Sequence, residues 1–194
     1  MRQDVRTRAL VPVLLFVGTV VALVSSLGAP LVPTIAEVDD VSLAAAQWSL
    51  TVSLLVGAVA TPALGRLGDG PRRKQVVVAV LLAVLAGCVL AALPLGFEAL
   101  LAGRALQGLG LGLTPLAMAV AREALPPDRA RSAVAMLSVT TVAGVGIGYP
   151  LTGLVTDVFG LHGGFWSAAA ISGAAALLAA GVLPASRGEA RGRD

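Results

Sequence analysis

The sequence has few of the residues from which soluble active sites and disulfide scaffolds are built. Of its 194 residues only 13% are charged and 4% aromatic, and it has one cysteine, Cys88, and one histidine, His162. A single cysteine excludes an internal disulfide framework. One histidine and one cysteine supply neither a zinc site nor a nucleophile–base dyad, and no H-E-x-x-H cluster is present. We therefore expect no enzyme, no metal site and no cofactor.

What the sequence does contain is long apolar runs, since 57% of the residues are hydrophobic. A soluble domain carries about 25% charged residues and could not cover its surface with so few. Apart from Arg104, six runs are uncharged, namely 9–36, 41–65, 76–93, 99–121, 132–156 and 165–184. Each can cross about 30 Å of hydrocarbon as a helix, whereas open strands would leave their backbone unpaired in lipid. We predict an all-α integral membrane protein with six transmembrane helices over residues 9–184.

The basic residues lie beside the apolar runs and alternate with acidic links. Thirteen of the fourteen fall in residues 1–8, 66–74, 122–131 and 187–193, while the other links hold Glu37, Asp39, Asp40, Glu98 and Asp157. The positive-inside rule predicts a plasma-membrane protein with both termini cytoplasmic, residues 1–8 and 185–194 forming the cytoplasmic ends. Because the basic residues form no soluble face, we expect the lipid bilayer as partner and no nucleic acid.

The pattern Pro-x-x-Gly-x-x-x-Asp occurs twice, 88 residues apart. The two copies are Pro62, Gly65 and Asp69, and Pro150, Gly153 and Asp157. The first copy ends a span on the predicted inner side and the second on the outer side. This favours two inverted three-helix repeats, an architecture typical of secondary transporters.

The link after the second span combines a carboxylate with a run of cations. It reads Gly65-Arg66-Leu67-Gly68-Asp69-Gly70-Pro71-Arg72-Arg73-Lys74. Asp69 and the cations suit a charge contact that holds helix ends together on the cytoplasmic face. The alternative is that the cations only anchor the topology, which accounts for 72–74 but not for Gly65 and Asp69.

This link resembles the signature loop of the major facilitator superfamily, G-x-L-x-D-R-x-G-R-[KR]. Gly65, Leu67, Asp69, Arg73 and Lys74 match the pattern. Gly70 and Arg72 stand where the family has arginine and glycine, which predicts a weaker or differently seated contact. The resemblance implies that Asp69, Arg73 and Lys74 belong to a gating loop that closes the cytoplasmic side against a second six-helix half.

The fourth span holds the only charge within the apolar runs. Its segment Arg104-Ala105-Leu106-Gln107-Gly108-Leu109-Gly110 resembles the family's R-x-x-Q-G-x-G. Gln107 lies one turn along on the same face, so both residues are candidates for substrate binding and proton coupling. The alternative is that Arg104, about 9 Å into the span, extends its side chain outward to the headgroups.

The fifth span resembles the glycine-proline motif of the family's drug/proton antiporter branch, G-x-x-x-G-P-x-x-G-G. Gly144 and Gly148 match, while Tyr149 replaces the proline, Pro150 comes one place later, and Gly153 alone remains at the end. The resemblance implies antiport, with these residues at a moving interface. The alternative is ordinary helix packing, for which a Gly-x-x-x-Gly stripe is also suited.

Few other polar groups are available to a substrate within the spans. They are Ser25, Ser26, Gln47, Trp48, Thr51 and Thr114. Serine and threonine commonly bond their own helix backbone, and an otherwise apolar lining suits hydrophobic or cationic compounds better than sugars.

Together these features resemble the amino-terminal half of a major facilitator. We predict secondary active transport of a small organic compound, as proton-coupled efflux, by alternating access with a second six-helix half. That half could be a separate chain, a missing part of this one, or a second copy. The alternative is a truncated or accessory half that acts as a partner subunit or is inactive. The sequence has no motif for a charged ring or a carbonyl filter, so it does not favour a pore.

Overall fold

The described part of the chain is helical throughout. The structure is a computed structural model that describes residues 2–68, 70 and 72–184, with side chains from residue 9 onward. Its helices are α1 (Arg2–Ser26), α2 (Val32–Val38), α3 (Leu43–Ala46), α4 (Trp48–Gly68), α5 (Arg73–Ala92), α6 (Phe97–Gly108), α7 (Leu113–Ala124) and α8 (Pro127–Val182). Short 3₁₀ turns lie at Ala29–Leu31 and Leu109–Gly112, and these ranges contain no strand. The all-helical prediction is confirmed.

Four helical stretches are long and apolar enough to cross a membrane. They are Ala9–Val38, Leu43–Gly68, Arg73–Ala92 and Pro127–Val182. The predicted span 99–121 is not among them, because the turn Leu109–Gly112 divides it into α6 and α7. Glycines at both ends of this turn explain the interruption, since glycine weakens a continuous helix.

The 56 residues of α8 are two helices that fold back on each other at Gly160. This residue has φ 71° and ψ 179°, a conformation essentially restricted to glycine. A β-carbon placed on Gly164 would lie 3.3 Å from Thr156 Oγ1. Residues eight apart in one straight helix would be about 12 Å apart along its axis. The chain therefore reverses here, between α8a (residues 127–159) and α8b (residues 161–182).

The core is formed where α1 packs against α8, and α5 packs against both α8 and α6. Fully buried side chains from these helices include Leu14, Val17, Leu81, Leu137 and Phe165. At the α5–α6 crossing, a β-carbon on Gly87 would lie 2.5 Å from the carbonyl oxygen of Gly103. Small residues let two backbones approach this closely, which is the usual way helices associate in lipid.

Candidate functional site

Arg104 is buried inside the helix bundle, with 1% of its surface exposed. Its Nε donates a hydrogen bond to the carbonyl oxygen of Ser49 on α4, at 3.2 Å. Its Nη1 donates to Oε1 of Gln107, one turn along α6, at 2.6 Å. The structure thus brings Arg104 and Gln107 together on one face, and the guanidinium points into the bundle rather than outward to its surface.

Two serines of α4 hold this face of α6 in place. The hydroxyl of Ser53 donates to the carbonyl oxygens of Ser49, at 3.1 Å, and Arg104, at 2.8 Å. The approach requires Gly108, since a β-carbon there would lie 2.3 Å from the Ser53 carbonyl oxygen. Sequence reasoning did not single out Ser49 and Ser53. Their spacing of four residues on an apolar helix was the available signal, because it places both on one face.

The charge of Arg104 meets only neutral acceptors in the described part of the chain. The ion pairs there join Arg73 to Glu123 and Arg131 to Asp128. An arginine within the hydrocarbon costs at least about 2.5–3.5 kcal/mol unless a partner or water offsets it. Arg104 is therefore a costly residue with an incomplete set of partners, which is typical of a functional position.

A small open pocket adjoins Arg104 between α1, α4 and α6. Its empty space, about 290 Å³ including the open side, is lined by Val24, Ser25, Leu50, Ser53, Leu54, Arg104, Gln107, Gly108 and Leu111. Gly28, just past the end of α1, lies close to the α1 side of this pocket. A β-carbon on Gly28 would lie 2.6 Å from Leu50 Cδ1 and 3.2 Å from Arg104 Nη2. The absence of a side chain at Gly28 therefore leaves room for the guanidinium.

Among the other polar candidates, several hydroxyls are satisfied by their own helix. Ser25 Oγ donates to the Val21 carbonyl at 2.8 Å, and Ser26 Oγ donates to the Leu23 carbonyl at 2.7 Å. Gln47, Trp48 and Thr51 are exposed at the start of α4, and Thr114 is half-buried on α7. Of the whole set, only Ser25 lines the pocket beside Arg104.

Arg73 joins the ends of three helices at the basic link. Its Nε donates to the Gly68 carbonyl at the end of α4, and its Nη1 donates to the Ala119 carbonyl of α7, at 3.4 Å. The same nitrogen forms an ion pair with the carboxylate of Glu123. A cation at the start of α5 opposes the helix dipole, so Glu123 offsets an unfavourable position. This contact lies within the chain, and sequence reasoning did not assign Glu123 to it.

The other residues of the predicted gating loop have different surroundings. Gly65 is half-buried, and no atom lies within 4 Å of a β-carbon placed on it. Lys74 follows Arg73 in the first turn of α5. Asp69 lies outside the described residues.

The predicted residues of the fifth span divide into two sets. A β-carbon on Gly144 would lie 2.7 Å from Ala22 Cβ, and one on Gly148 would lie 2.2 Å from Ser26 Oγ. These two glycines therefore pack against α1 within the chain. Pro150 is exposed, and a β-carbon on Gly153 would meet open space.

A family model described as Major Facilitator Superfamily matches residues 14–194. The chain belongs to this superfamily. It is 33% identical over 187 residues to the uncharacterized MFS-type transporter Rv1877 of Mycobacterium tuberculosis, covering 93% of this chain and 26% of that protein. It is 30% identical over 128 residues to the lincomycin resistance protein LmrB of Bacillus subtilis, covering 66% and 27%. The multidrug resistance protein MdtG of Proteus mirabilis is 30% identical over 123 residues, covering 63% and 31%.

Solved structures of other transporters share the fold. A peptide transporter POT, bound to alafosfalin, superposes with a TM-score of 0.75 at 20% identity, over 94% of this chain and 43% of that one. The human organic anion transporter MFSD10 superposes with a TM-score of 0.69 at 22% identity, over 92% and 48%. The chain thus spans about a quarter of the curated relatives and under half of these structures. It is a multi-pass membrane protein of a transporter family and not an enzyme.

Proposed function

We propose that the chain is one six-helix half of a secondary transporter that exports a small organic compound in exchange for protons. The observation that carries the proposal is Arg104, a buried cation with neutral partners beside a pocket between three helices. Two relatives are named for drug resistance, one for multidrug and one for lincomycin resistance, which supports efflux. The second half supplies the opposite wall of the transport path.

The proposed topology has six spans in two inverted repeats of three. The reversal at Gly160 supports it by separating a fifth from a sixth span, and α6 with α7 supplies the fourth. The repeated residues also share their surroundings. Pro62 and Pro150 are both exposed, and β-carbons on Gly65 and Gly153 would both meet open space. Both termini are cytoplasmic in this proposal, because the basic segments lie before the first span and after the second, fourth and sixth spans.

Each predicted site residue has a role in the proposed cycle. Arg104 and Gln107 couple substrate to protons, because they are the charged and amide groups of the pocket. Gly65, Asp69, Arg73 and Lys74 form the cytoplasmic gate, which the Arg73 contact to α4 and α7 supports. Gly144, Gly148, Pro150 and Gly153 form the moving interface of the fifth span. Gly144 and Gly148 pack on α1, so Pro150 and Gly153 form the side of the fifth span that faces the second half.

A second candidate function is an accessory subunit that pairs with another chain, or with a copy of itself, without transporting alone. The observation that favours it is the exposed apolar surface of two helices. Leu54, Leu55 and Val59 on α4 are exposed, as are Val142 and Ile147 on α8a. These side chains suit contact with a second helical unit as well as with lipid.

Transport by proteoliposomes containing the chain tests both candidates. Ethidium efflux is followed by fluorescence under an imposed pH gradient, together with the accompanying proton movement. We expect Arg104→Gln to reduce the proton-coupled rate about tenfold or more, which corresponds to about 1.4 kcal/mol in the activation free energy. The matched control is Arg131→Gln, since the Arg131 side chain is 81% exposed and far less enclosed.

Equal rates in the wild type and Arg104→Gln would contradict the coupling role. A folded wild-type chain that moves neither ethidium nor benzoate, alone or in vesicles that also contain a second six-helix half, would favour the accessory role. Mass measurement in detergent then distinguishes a self-associated form from a single chain.

A further inference from the structure

We propose that Arg104 and Gln107 bind the carboxylate group of a small organic anion. The inference rests on the proposed function in taking the adjoining pocket as part of the substrate path, and it names the substrate class. It departs from the expectation that the apolar lining suits a cationic compound.

The first support is the charge of the pocket. Arg104 is the only ionisable residue in its lining, and no acidic side chain of the described residues pairs with the guanidinium. The hydrogen bonds of the guanidinium go to the carbonyl oxygen of Ser49 and the amide oxygen of Gln107, and both acceptors are uncharged. A cationic ligand would bring a second positive charge against this group, whereas a carboxylate would supply the missing counter-charge.

The second support is an unpartnered donor beside the guanidinium. Arg104 has only donors, so it fixes the Gln107 amide with Oε1 toward it and Nε2 away from it. That Nε2 is buried without a hydrogen-bond partner, and Gln107 is only 5% exposed. A buried donor left unpaired costs free energy, and a carboxylate oxygen satisfies it with a charge-assisted bond. Arg104 and Gln107 thus place a positive charge and an unpaired amide donor next to each other in the lining of the pocket.

The size and walls of the pocket limit the rest of the ligand. The empty space of about 290 Å³ includes the open side of the pocket, so the part enclosed by protein takes only a small group such as the carboxylate itself. Val24, Leu50, Leu54 and Leu111 provide apolar walls, and Ser25 and Ser53 have hydroxyls already bonded to backbone carbonyls. A monocarboxylate with a compact apolar body fits these surroundings.

Benzoate and benzamide form a matched pair of probes, because they share shape and size but only benzoate carries the negative charge. Binding of each to the purified full chain in detergent is measured by isothermal titration calorimetry. We expect the wild type to bind benzoate about tenfold or more tightly than benzamide. We expect Arg104→Gln to abolish that preference, Arg104→Lys to keep it with weaker binding, and Arg131→Gln to leave it unchanged.

Gln107→Leu provides a second variant if Arg104→Gln does not fold, as judged by gel filtration and thermal melting. It is expected to weaken benzoate binding several-fold and benzamide binding less, because the amide donor bonds more strongly to a charged oxygen than to a neutral carbonyl oxygen. Equal binding of the two probes, benzoate preference retained in Arg104→Gln, or no benzoate binding by the folded wild type would each overturn the proposal. In the last case, a carboxylate side chain of a second half becomes the partner left for Arg104.

The binding and transport measurements can contradict the two proposals independently of each other. Proton-coupled ethidium efflux without benzoate binding would overturn this inference and leave the proposed function in place. Benzoate binding to a chain that transports nothing would support the site and contradict the proposed function.

Discussion

The first and second spans differ sharply in what they bury. In the most apolar window of each, 61% of Ala9–Val38 is buried, against 22% of Leu43–Gly68. The buried residues of α1 are mostly apolar, such as Leu14, Val17 and Val20. Those of α4 are serines and glycines only, namely Ser49, Ser53, Gly57 and Gly68.

This difference shows that apolar character does not mark the inward face of a membrane helix. Lipid tails are as apolar as leucine, so α4 can expose Leu54, Leu55 and Val59 at little cost. Its small and polar residues instead face α6, where they meet Arg104 and Gly108. Span one stabilises the bundle by filling volume, and span two does so by close approach and hydrogen bonds.

The largest effect is expected from removing volume in the first span. Leu14→Ala leaves a cavity at a side chain that is 1% exposed, and should lower the free energy of unfolding by about 2–5 kcal/mol. Leu55→Ala on α4, at a side chain 58% exposed, should change it by less than about 0.5 kcal/mol. Unfolding in mixed micelles at increasing denaturing detergent measures both. Similar losses for the two variants would contradict the contrast between these spans.

A smaller loss is expected from blocking the close approach of α4. Gly108→Ala places a β-carbon 2.3 Å from the Ser53 carbonyl oxygen, so α4 must shift away from Arg104. We expect a loss of about 1–3 kcal/mol, measured by the same unfolding method. The control Gly146→Ala meets no atom within 4 Å and should be neutral or slightly stabilising, since alanine favours helix over glycine by about 0.5–1 kcal/mol. An unaffected Gly108→Ala would show that α4 is not held by backbone contact.

The smallest effect is expected at the helix ends. A double-mutant cycle with Arg73→Gln and Glu123→Gln should give a coupling energy of about 0.5–1 kcal/mol, because the Arg73 side chain is only 16% exposed. The same cycle at Arg131 and Asp128, both more than 80% exposed, should give nearly zero. Equal coupling in the two cycles would show that the Arg73–Glu123 ion pair, where α4, α5 and α7 meet, is no stronger than an ordinary surface ion pair.

Hydropathy was sufficient to predict the helices but not their interruptions. Runs free of charge locate α5 closely and contain most of α1 and α4, because long apolar runs in lipid form helices. The break of the first span near Gly28 and the turn at Leu109–Gly112 both lie where glycines pack close to Arg104 or α4. Glycine is common in membrane helices, so its presence alone could not locate either interruption.

The candidate site was predictable only where its residues share a helix. Arg104 and Gln107 are three residues apart, and helix geometry places them together. Ser49 lies 55 residues from Arg104, and Glu123 lies 50 residues from Arg73. Contacts at such separations depend on how the helices cross, which periodicity within one helix does not specify. The spacing of Ser49 and Ser53 places both on one face of α4, but it does not indicate that α6 packs against that face.

The turn at Gly160 has a consequence for engineering the protein. A single residue reverses the chain between α8a and α8b, so this connection has no slack that could absorb an inserted epitope tag or protease site. Replacement by any residue with a β-carbon would also force a strained backbone at φ 71°. Between α5 and α6, residues 93–96 form a non-helical connection in which Leu95 is exposed. Reporter sequences for determining which side of the membrane this end of the helices faces therefore belong at Leu95, whereas Gly160 should be left intact.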